Sequence, residues 1–425
     1  MSFPVYITGV GACLPARTLS NEQIAAGMPW LDVSADWVRE HTGIRQRHVA
    51  DPDQHATDLG YAAARQALTR ARCDPDDVDL VLLATNTAEF VYPAGAAMIQ
   101  ERLAADCSKH SRMARAAALD LQQGCASFVA GIALGAGMIQ SGNCQRTLVI
   151  GADVATRMVD WTDRSAVLLG DGASACVLSR DRPPSSAPQP GLEVLASFMR
   201  TIPDRESIYQ RGVLDARNDP FQHMEYAARI PGRVTRRALY SRFTAPAGND
   251  EVSRFFQMDG RKVYRFVRRT VAASGYLEVM RRAGLVTDAE NERVEQHLRA
   301  DSPALAELSE EFLARLASRI DRFIPHGANM VLDQELADQM QIPYERMALT
   351  LAEHGNTSAA SVGITLERLL RGEVGFSTIA KRDAQGVITK PARDVVVGPL
   401  ARGHTALMLA FGAGTSWNYV VARAV

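Results

Sequence analysis

Ala117-Ala-Leu-Asp-Leu-Gln-Gln-Gly-Cys125-Ala-Ser-Phe128 is the stretch from which the fold is read. It begins as a short β-rich run, turns at Gly124, and passes into the apolar segment Phe128 to Ile139. A strand that feeds directly into a helix is the repeating unit of α/β architecture. Cys125 stands at that junction, where unpaired N–H groups and the positive end of a helix dipole favour a thiolate. Gly124 permits the sharp turn that leaves the thiol free. A single cysteine in an apolar stretch is also a common small core residue. The junction therefore gains chemical meaning only from partners elsewhere in the chain.

Outward from this junction the alternation continues. Val5 to Gly11 reads as a first strand, Asp79 to Asn86 as another, and Arg146 to Asp153 as a fourth. Ala166 to Ser179 reads as a hairpin turning at Gly170-Asp-Gly172. The second half repeats the plan, with a helix over about Gly260 to Ala283 and a strand Arg322-Phe-Ile-Pro leading into His326-Gly-Ala-Asn329. A strand Met347-Ala-Leu-Thr-Leu351 then leads into Glu353-His-Gly-Asn-Thr357 and a further helix. The chain closes on a hairpin, His404 to Phe411 and Trp417 to Arg423, around Gly412-Ala-Gly414. Two halves of similar plan indicate an internal duplication. Arg182-Pro-Pro-Ser-Ser-Ala-Pro-Gln-Pro-Gly191 separates them as a linker. The expected division is 1–182, an insertion at 183–256, and 257–425 with further insertions near 286–320 and 375–400. Within Asp288 to Ile320, Leu305, Leu308, Phe312 and Leu316 fall on one face of a charged amphipathic helix.

Composition narrows the function classes. The 425 residues carry 47 basic and 48 acidic side chains, so the balance of −1 argues against a nucleic-acid surface or an anionic-membrane binder. At 47% hydrophobic and 22% charged residues the chain reads as globular rather than disordered. No CxxC occurs among the six cysteines, which excludes a zinc ribbon or a thioredoxin motif, and no metal site is expected. The start Met1-Ser-Phe-Pro-Val lacks a signal-peptide pattern, and Phe128 to Ile139 is shorter than the ~20 apolar residues of a membrane span. A reducing cytoplasm is the expected setting. Gly9-Val-Gly11 lacks the third glycine and helix of a dinucleotide fingerprint.

Two further sites give Cys125 its partners. His326 follows a strand, and Asn356 sits in His354-Gly-Asn-Thr-Ser-Ala-Ala-Ser361 at another strand-to-helix junction. A histidine and an amide delivered by equivalent junctions can converge on one thiol.

With those residues in hand, the chain resembles a thiolase-fold condensing enzyme of the β-ketoacyl-(acyl carrier protein) synthase III type. The resemblance is carried by Trp37-Val-Arg-Glu-His-Thr-Gly-Ile-Arg-Gln-Arg47, the Cys125 junction, Thr162-Asp-Arg164, Gly170-Asp-Gly-Ala173 and Met258-Asp-Gly260. Ile324-Pro-His-Gly-Ala-Asn329, His354 to Ser361 and Phe411-Gly-Ala-Gly-Thr-Ser-Trp417 complete it, in family order along nearly the whole chain. It implies duplicated α/β halves in a layered αβαβα sandwich. It also implies that Cys125 takes an acyl group from a thioester, with the amides of Cys125 and Ala413 as the oxyanion hole. His326 and Asn356 would stabilise the enolate left when a malonyl thioester loses CO2. Trp37, Arg164 and Asn329 match positions that bind CoA or phosphopantetheine, and Tyr92 matches the acyl pocket. The implied partners are acyl-CoA or acyl carrier protein and a second copy of the chain, with neither nucleic acid nor membrane, and no cofactor beyond the thioester substrates.

Departures bear on substrate. Val331, Asp338 and Gln339 stand where relatives carry basic residues that dock the carrier protein, His41 where an Arg often supports CoA, and Gly327 where Gln is common. The surplus after residue 183 falls where the tunnel mouth is built, which predicts an entrance remodelled for a larger or unusual group. Tyr92-Pro93 replaces the catalytic Glu of a subgroup that keeps the malonyl carboxylate, with Glu89 close by. A cysteine protease with the same residue order fits the duplicated pattern poorly, and a non-catalytic subunit would have lost one of the three reactive residues. An acyltransferase delivering the acyl group to an alcohol or amine, in ester or amide formation, remains the alternative.

Overall fold

Hydrophobic runs alternating with helices produce a sheet in which both faces are covered. The computed structural model describes residues 3–107, 111–187, 189–204, 207–210, 218–229, 255–272, 274–299, 305–383 and 385–425. Among these, nine strands join edge to edge in one sheet. Their order is Arg322–Ile324, Thr405–Gly412, Ser416–Ala424, Leu192–Thr201, Tyr6–Cys13, Asp171–Ser179, Arg146–Val154, Leu80–Ala84 and Ala117–Leu121. Leu80–Ala84 pairs in parallel with both Ala117–Leu121 and Arg146–Val154, the arrangement that strand–helix–strand crossovers require.

The two halves meet at a thin seam. Tyr6–Cys13 pairs with Leu192–Thr201 only through Tyr6 with Glu193 and Ile7 with Leu192. Helix Ser127–Gln140 fills the space between them, packing on strands of both halves, and helix Ser361–Leu370 does the same from the other half. Helix Ala56–Ala71 covers the outer face of the N-terminal strands, and helix Ser274–Arg282 covers Leu192–Thr201 and Ser416–Ala424. Helix, sheet, helix, sheet, helix: the expected αβαβα layering is present. The buried side chains of Ser127–Gln140 include Phe128, Val129, Ile132 and Ile139, which explains why this helix has almost no polar residues.

Three expectations are corrected. Ala166 to Ser179 is not a hairpin, because Arg164–Leu168 is a 3-10 helix and only Asp171–Ser179 is a strand. The backbone between them pairs across the halves instead, with Gly170 donating to the Asn356 carbonyl and Asn356 to the Leu168 carbonyl. Met347 to Leu351 is not a strand either. It makes one bridge, Met347 with Phe323, and then winds into the helical turn Leu351–His354. The insertion assigned to 183–256 contains Leu192–Thr201, which belongs to the core sheet, so the excursion begins after Thr201. The tunnel-mouth reading of 205–206, 211–217 and 230–254 falls outside the described residues.

The other surplus segments are surface additions. All four expected residues are buried, but not on one helix face: Phe312 and Leu316 lie in helix Glu310–Ala317, Leu305 in the 3-10 turn Leu305–Glu307, and Leu308 between the two. Two small ribbons, Gly375–Ser377 with Asp394–Val396 and Lys381–Arg382 with Ile388–Lys390, make up 375–400. No helix among the described residues is long and apolar enough to cross a membrane.

Candidate active site

Cys125 is held by backbone. Gly124 takes φ +58°, and the chain between the strand and the first helical residue, Ser127, is tied by Gln123 N–H donating to Ser127 Oγ (2.6 Å) and Ser127 Oγ donating to the Gly124 carbonyl (2.6 Å). From the other half, Asn418 Nδ2 donates to Gln123 Oε1 (2.7 Å) and to the Ala126 carbonyl (2.9 Å). The C-terminal hairpin then presses its backbone onto the turn. A Cβ on Gly124 would lie 2.6 Å from the Ala413 nitrogen, and one on Gly412 would lie 2.5 Å from the Cys125 nitrogen. Only glycine at both positions lets the amides of Cys125 and Ala413 come this close.

His326 and Asn356 are held through their own side-chain groups. His326 follows Arg322–Ile324, is fully buried, and contacts Ser361 Oγ through Nδ1 (2.7 Å), with the Phe411 ring edge-on at 5.4 Å. Asn356 Oδ1 accepts from the Ser358 N–H (2.9 Å) and its Nδ2 reaches the Ala328 carbonyl (3.4 Å), which fixes the amide orientation. Cys125 Sγ lies 3.4 Å from Ser358 Oγ.

Cys125, His326 and Asn356 line one cavity of about 1940 Å³, together with Asn329, Ser358, Phe411 and Ala413. The three junctions therefore do converge. Leu121, Ala130, Leu134, Met199 and Met258 supply apolar wall, and Met199, Asp204, Ile208, Gln210 and Phe256, from within 183–256, also join the lining.

Electrostatics modify the expected thiolate. The helix begins two residues beyond Cys125, and burial pushes the thiol up to about 11, with the Asp153 charge adding to the rise and the Ser358 contact opposing it. Burial drives the His326 imidazole down to about 4, so the ring is neutral at physiological pH. Behind the His326 loop, burial pushes the Asp333 carboxyl up to about 8.

The remaining candidates lie elsewhere. Trp37 and Arg164 are absent from the cavity lining. They form a surface cluster in which His41 stacks on Trp37 at 4.5 Å and the Arg164 guanidinium sits 5.7 Å from the indole, paired with Asp32 at 2.5 Å. Asn329 does line the cavity, while its side chain caps helix Met330–Gln339 by accepting from Leu332 N–H (3.0 Å). Tyr92 is a correction. It is 84% exposed and does not line the cavity, whereas Glu89, Phe90 and Val91 on the same bend do. Asp338 is ion-paired with Lys381, so the 375–400 ribbon covers the helix end where relatives carry basic residues.

Ser358, Ser361, Asn86 and Asp153 escaped the sequence reading. Ser358 and Ser361 lie inside the motif containing Asn356 but carry no distinctive chemistry of their own. Asn86 and Asp153 follow or end apolar strands, at the carboxyl ends where α/β sheets collect functional groups, and that was the available signal.

Comparison with known proteins agrees with this geometry. The profile of the 3-oxoacyl-[acyl-carrier-protein] synthase III family matches residues 119–201, and that of its C-terminal part matches residues 315–376. The chain is 30% identical over 418 residues to the β-ketoacyl-[acyl-carrier-protein] synthase III of Methylococcus capsulatus, with 98% of each chain covered. Among solved structures it is similar to the 3-oxoacyl-(acyl carrier protein) synthase III of Pseudomonas aeruginosa, with a TM-score of 0.67, 27% identity and coverage of 99% and 98%. The priming β-ketosynthase of the R1128 polyketide pathway gives a TM-score of 0.68, 25% identity and coverage of 100% and 97%.

Proposed function

The chain belongs to the 3-oxoacyl-[acyl-carrier-protein] synthase III family, and from that membership and the shared cavity we propose that it joins an acyl group to a malonyl unit by decarboxylative condensation. Cys125 attacks an acyl thioester. The carbon–sulfur bond of the donor breaks, a new one forms to Sγ, and the Cys125 proton ends on the departing thiol. The negative oxygen formed in that step is taken by the amides of Cys125 and Ala413, whose close approach Gly124 and Gly412 permit.

The malonyl thioester enters next, with its carbonyl oxygen between His326 and Asn356. Loss of CO2 leaves the bonding electrons as an enolate, which two neutral donors stabilise as its charge develops. Asn356 presents N–H because Ser358 occupies its oxygen. Ser361 has one proton and two acceptors within reach, the Ser358 carbonyl (3.0 Å) and His326 Nδ1 (2.7 Å); the enolate role has it turned to Nδ1, which leaves the ring's own proton on Nε2. The enolate carbon then attacks acyl-Cys125 and the sulfur leaves, giving a β-keto thioester. This chemistry needs no metal or redox cofactor, only CoA or carrier-protein thioesters and a reduced thiol, which suits a cytoplasmic setting.

The single observation that carries the reading is that Cys125, His326 and Asn356 line the same cavity. The intact Asn356 favours carbon–carbon bond formation over transfer to an alcohol or amine, which has no enolate to hold. Trp37 and Arg164 are proposed to meet the nucleotide end of CoA, the indole by stacking and the guanidinium through phosphate, and Asn329 the pantetheine arm. A homodimer is proposed through the exposed edge strand Ala117–Leu121 and the Phe90–Tyr92 bend, which leave Leu119, Val91 and Tyr92 uncovered in one chain.

Intact-protein mass spectrometry with a panel of acyl-CoAs, followed by a malonyl thioester chase, tests the function. Acyl mass is expected on Cys125, with its loss on adding the malonyl donor and appearance of CO2 and a β-keto product. Transfer to an alcohol or amine without CO2 would replace this reading with the acyltransferase one.

A further inference from the structure

Ser358 touches two of the three reactive residues and reaches the third through Ser361. Its hydroxyl contacts Cys125 Sγ (3.4 Å), its N–H donates to Asn356 Oδ1 (2.9 Å), and its carbonyl lies 3.0 Å from the Ser361 hydroxyl that meets His326. It also adopts a left-handed backbone with φ +53°, uncommon for a residue with a side chain and concentrated at functional sites. We propose that Ser358 is a further catalytic residue, its hydroxyl donating a hydrogen bond to the Cys125 sulfur and so stabilising the thiolate that attacks the acyl thioester. This deepens the thioester reading above and rests on it.

Proton counting makes the serine proton available for that bond. Asp153 is fully buried and accepts from the Asn86 N–H (2.6 Å), the Thr85 and Thr87 hydroxyls (3.2 Å each), Asn86 Nδ2 (2.9 Å) and the Ala359 N–H (3.1 Å). Asn86 is thereby locked with its NH2 group inward, and the same Nδ2 donates to Ser358 Oγ over 3.3 Å. The serine oxygen accepts from Asn86, which leaves its own proton for the sulfur. A carboxylate thus polarises an amide, the amide a hydroxyl, and the hydroxyl faces the nucleophile.

The bond matters most when the sulfur is charged. As the Cys125 proton passes to the departing thiol, negative charge on Sγ strengthens the O–H···S contact, while Ser358 keeps its proton throughout. The ionisable groups that bear on this sulfur are Asp153, which opposes the thiolate, and His326, neutral through burial, with Glu89 and Asp120 farther along the cavity wall.

Iodoacetamide alkylation of the full chain, followed across pH by mass spectrometry of the Cys125 peptide, reads this without any acyl substrate. Ser358→Gly and Ser358→Ala should each raise the alkylation midpoint by about one unit or more, which is about a tenfold slower reaction at neutral pH. Ser358→Gly also relieves the left-handed strain, so it serves as the readout should Ser358→Ala fold poorly. Ser361→Ala removes a hydroxyl from His326 rather than from sulfur and should leave the midpoint in place. Unmoved midpoints in the Ser358 variants, a shift in Ser358→Ala alone, or an equal shift in Ser361→Ala overturns the assignment. Because no acyl donor takes part, a failed malonyl chase and a failed alkylation shift are separate results.

Discussion

The two halves of the molecule hold their reactive residues by different means. On the N-terminal side, Cys125 is clamped by main chain, with the Gly412–Ala413 backbone pressed against the Gly124–Cys125 turn. On the C-terminal side, His326 and Asn356 are steadied by hydroxyl, amide and carbonyl contacts around Ser358 and Ser361, with more room about the loop. The difference fits the chemistry proposed for each side. An oxyanion hole is made of amides and needs two backbones at a fixed spacing, whereas an enolate needs neutral side-chain donors that are dry and correctly turned.

The largest expected effect therefore comes from the backbone clamp. Gly412→Ala would put a Cβ 2.5 Å from the Cys125 nitrogen and 3.2 Å from its Cα, where neither main chain can yield. Acyl uptake on Cys125 is expected to fall by at least about 100-fold, with a lowered melting temperature. Near-normal uptake would break the claim that close backbone approach builds the hole. Asn356→Ala addresses the other side and should separate the half-reactions. Acyl-Cys125 should form at close to the normal rate, while the malonyl chase slows by about 10²–10³-fold, the usual effect of losing one such donor. Equal loss in both halves would erase the division of labour.

That contrast also explains what could be read from sequence. Cys125 and His326 were legible because each is a distinctive residue type after a strand that leads to a helix, a signal local in the chain, whereas Asn356 was found through a strand that proves to be a helical turn, Leu351–His354. The α/β alternation was legible from the same kind of local signal, through runs such as Leu80–Ala84 that must be buried on both faces, while the αβαβα layering came with the family resemblance. The Ala413 amide has no residue-type signature and entered through the resemblance alone. Ser358 and Ser361 look like ordinary helix-start serines. The misread hairpin at 166–179 failed because the partner of Leu168 and Gly170 is Asn356, a long-range pairing that no local pattern encodes. Tyr92 failed because one chain does not bring it to the cavity.

Acid and base limbs of stability sharpen the picture of the C-terminal side. Burial lowers the folded-state pKa of His326 to about 4, below its unfolded value of 6.5, so its contribution is present above 6.5 and lost as pH falls toward 4. Asp333 has the opposite sign. Its carboxyl is buried, with only the Gly327 and Ala328 amides opposing the rise, and its folded-state pKa of about 8 exceeds the ordinary 3.8. The folded chain holds that proton across this window and the unfolded chain does not, so stability falls as pH rises from 3.8 to 8. Asp333→Asn should remove this limb, gaining about 1–3 kcal/mol at pH 8 and little near pH 4, by urea denaturation at each pH. The gain falls short of the whole window because the amide also buries unpaired polar atoms. A pH-independent difference would remove Asp333 as the source.

Gly327 gives the smallest effect and the closest contrast with Gly412. It has φ +70°, yet a Cβ there would meet only Leu349 Cδ2 at 3.8 Å and Leu351 Cβ at 3.9 Å, both ordinary contacts. Space is available, and the sole penalty is the left-handed backbone. Gly327→Ala should therefore lower stability by about 1 kcal/mol in urea denaturation and leave the condensation rate within a few-fold. His326, next in the chain, is anchored through its own ring and not through the glycine. A loss of activity as large as that of Gly412→Ala would mean that the histidine loop is clamped by main chain after all, and the two halves would then hold their residues in the same way.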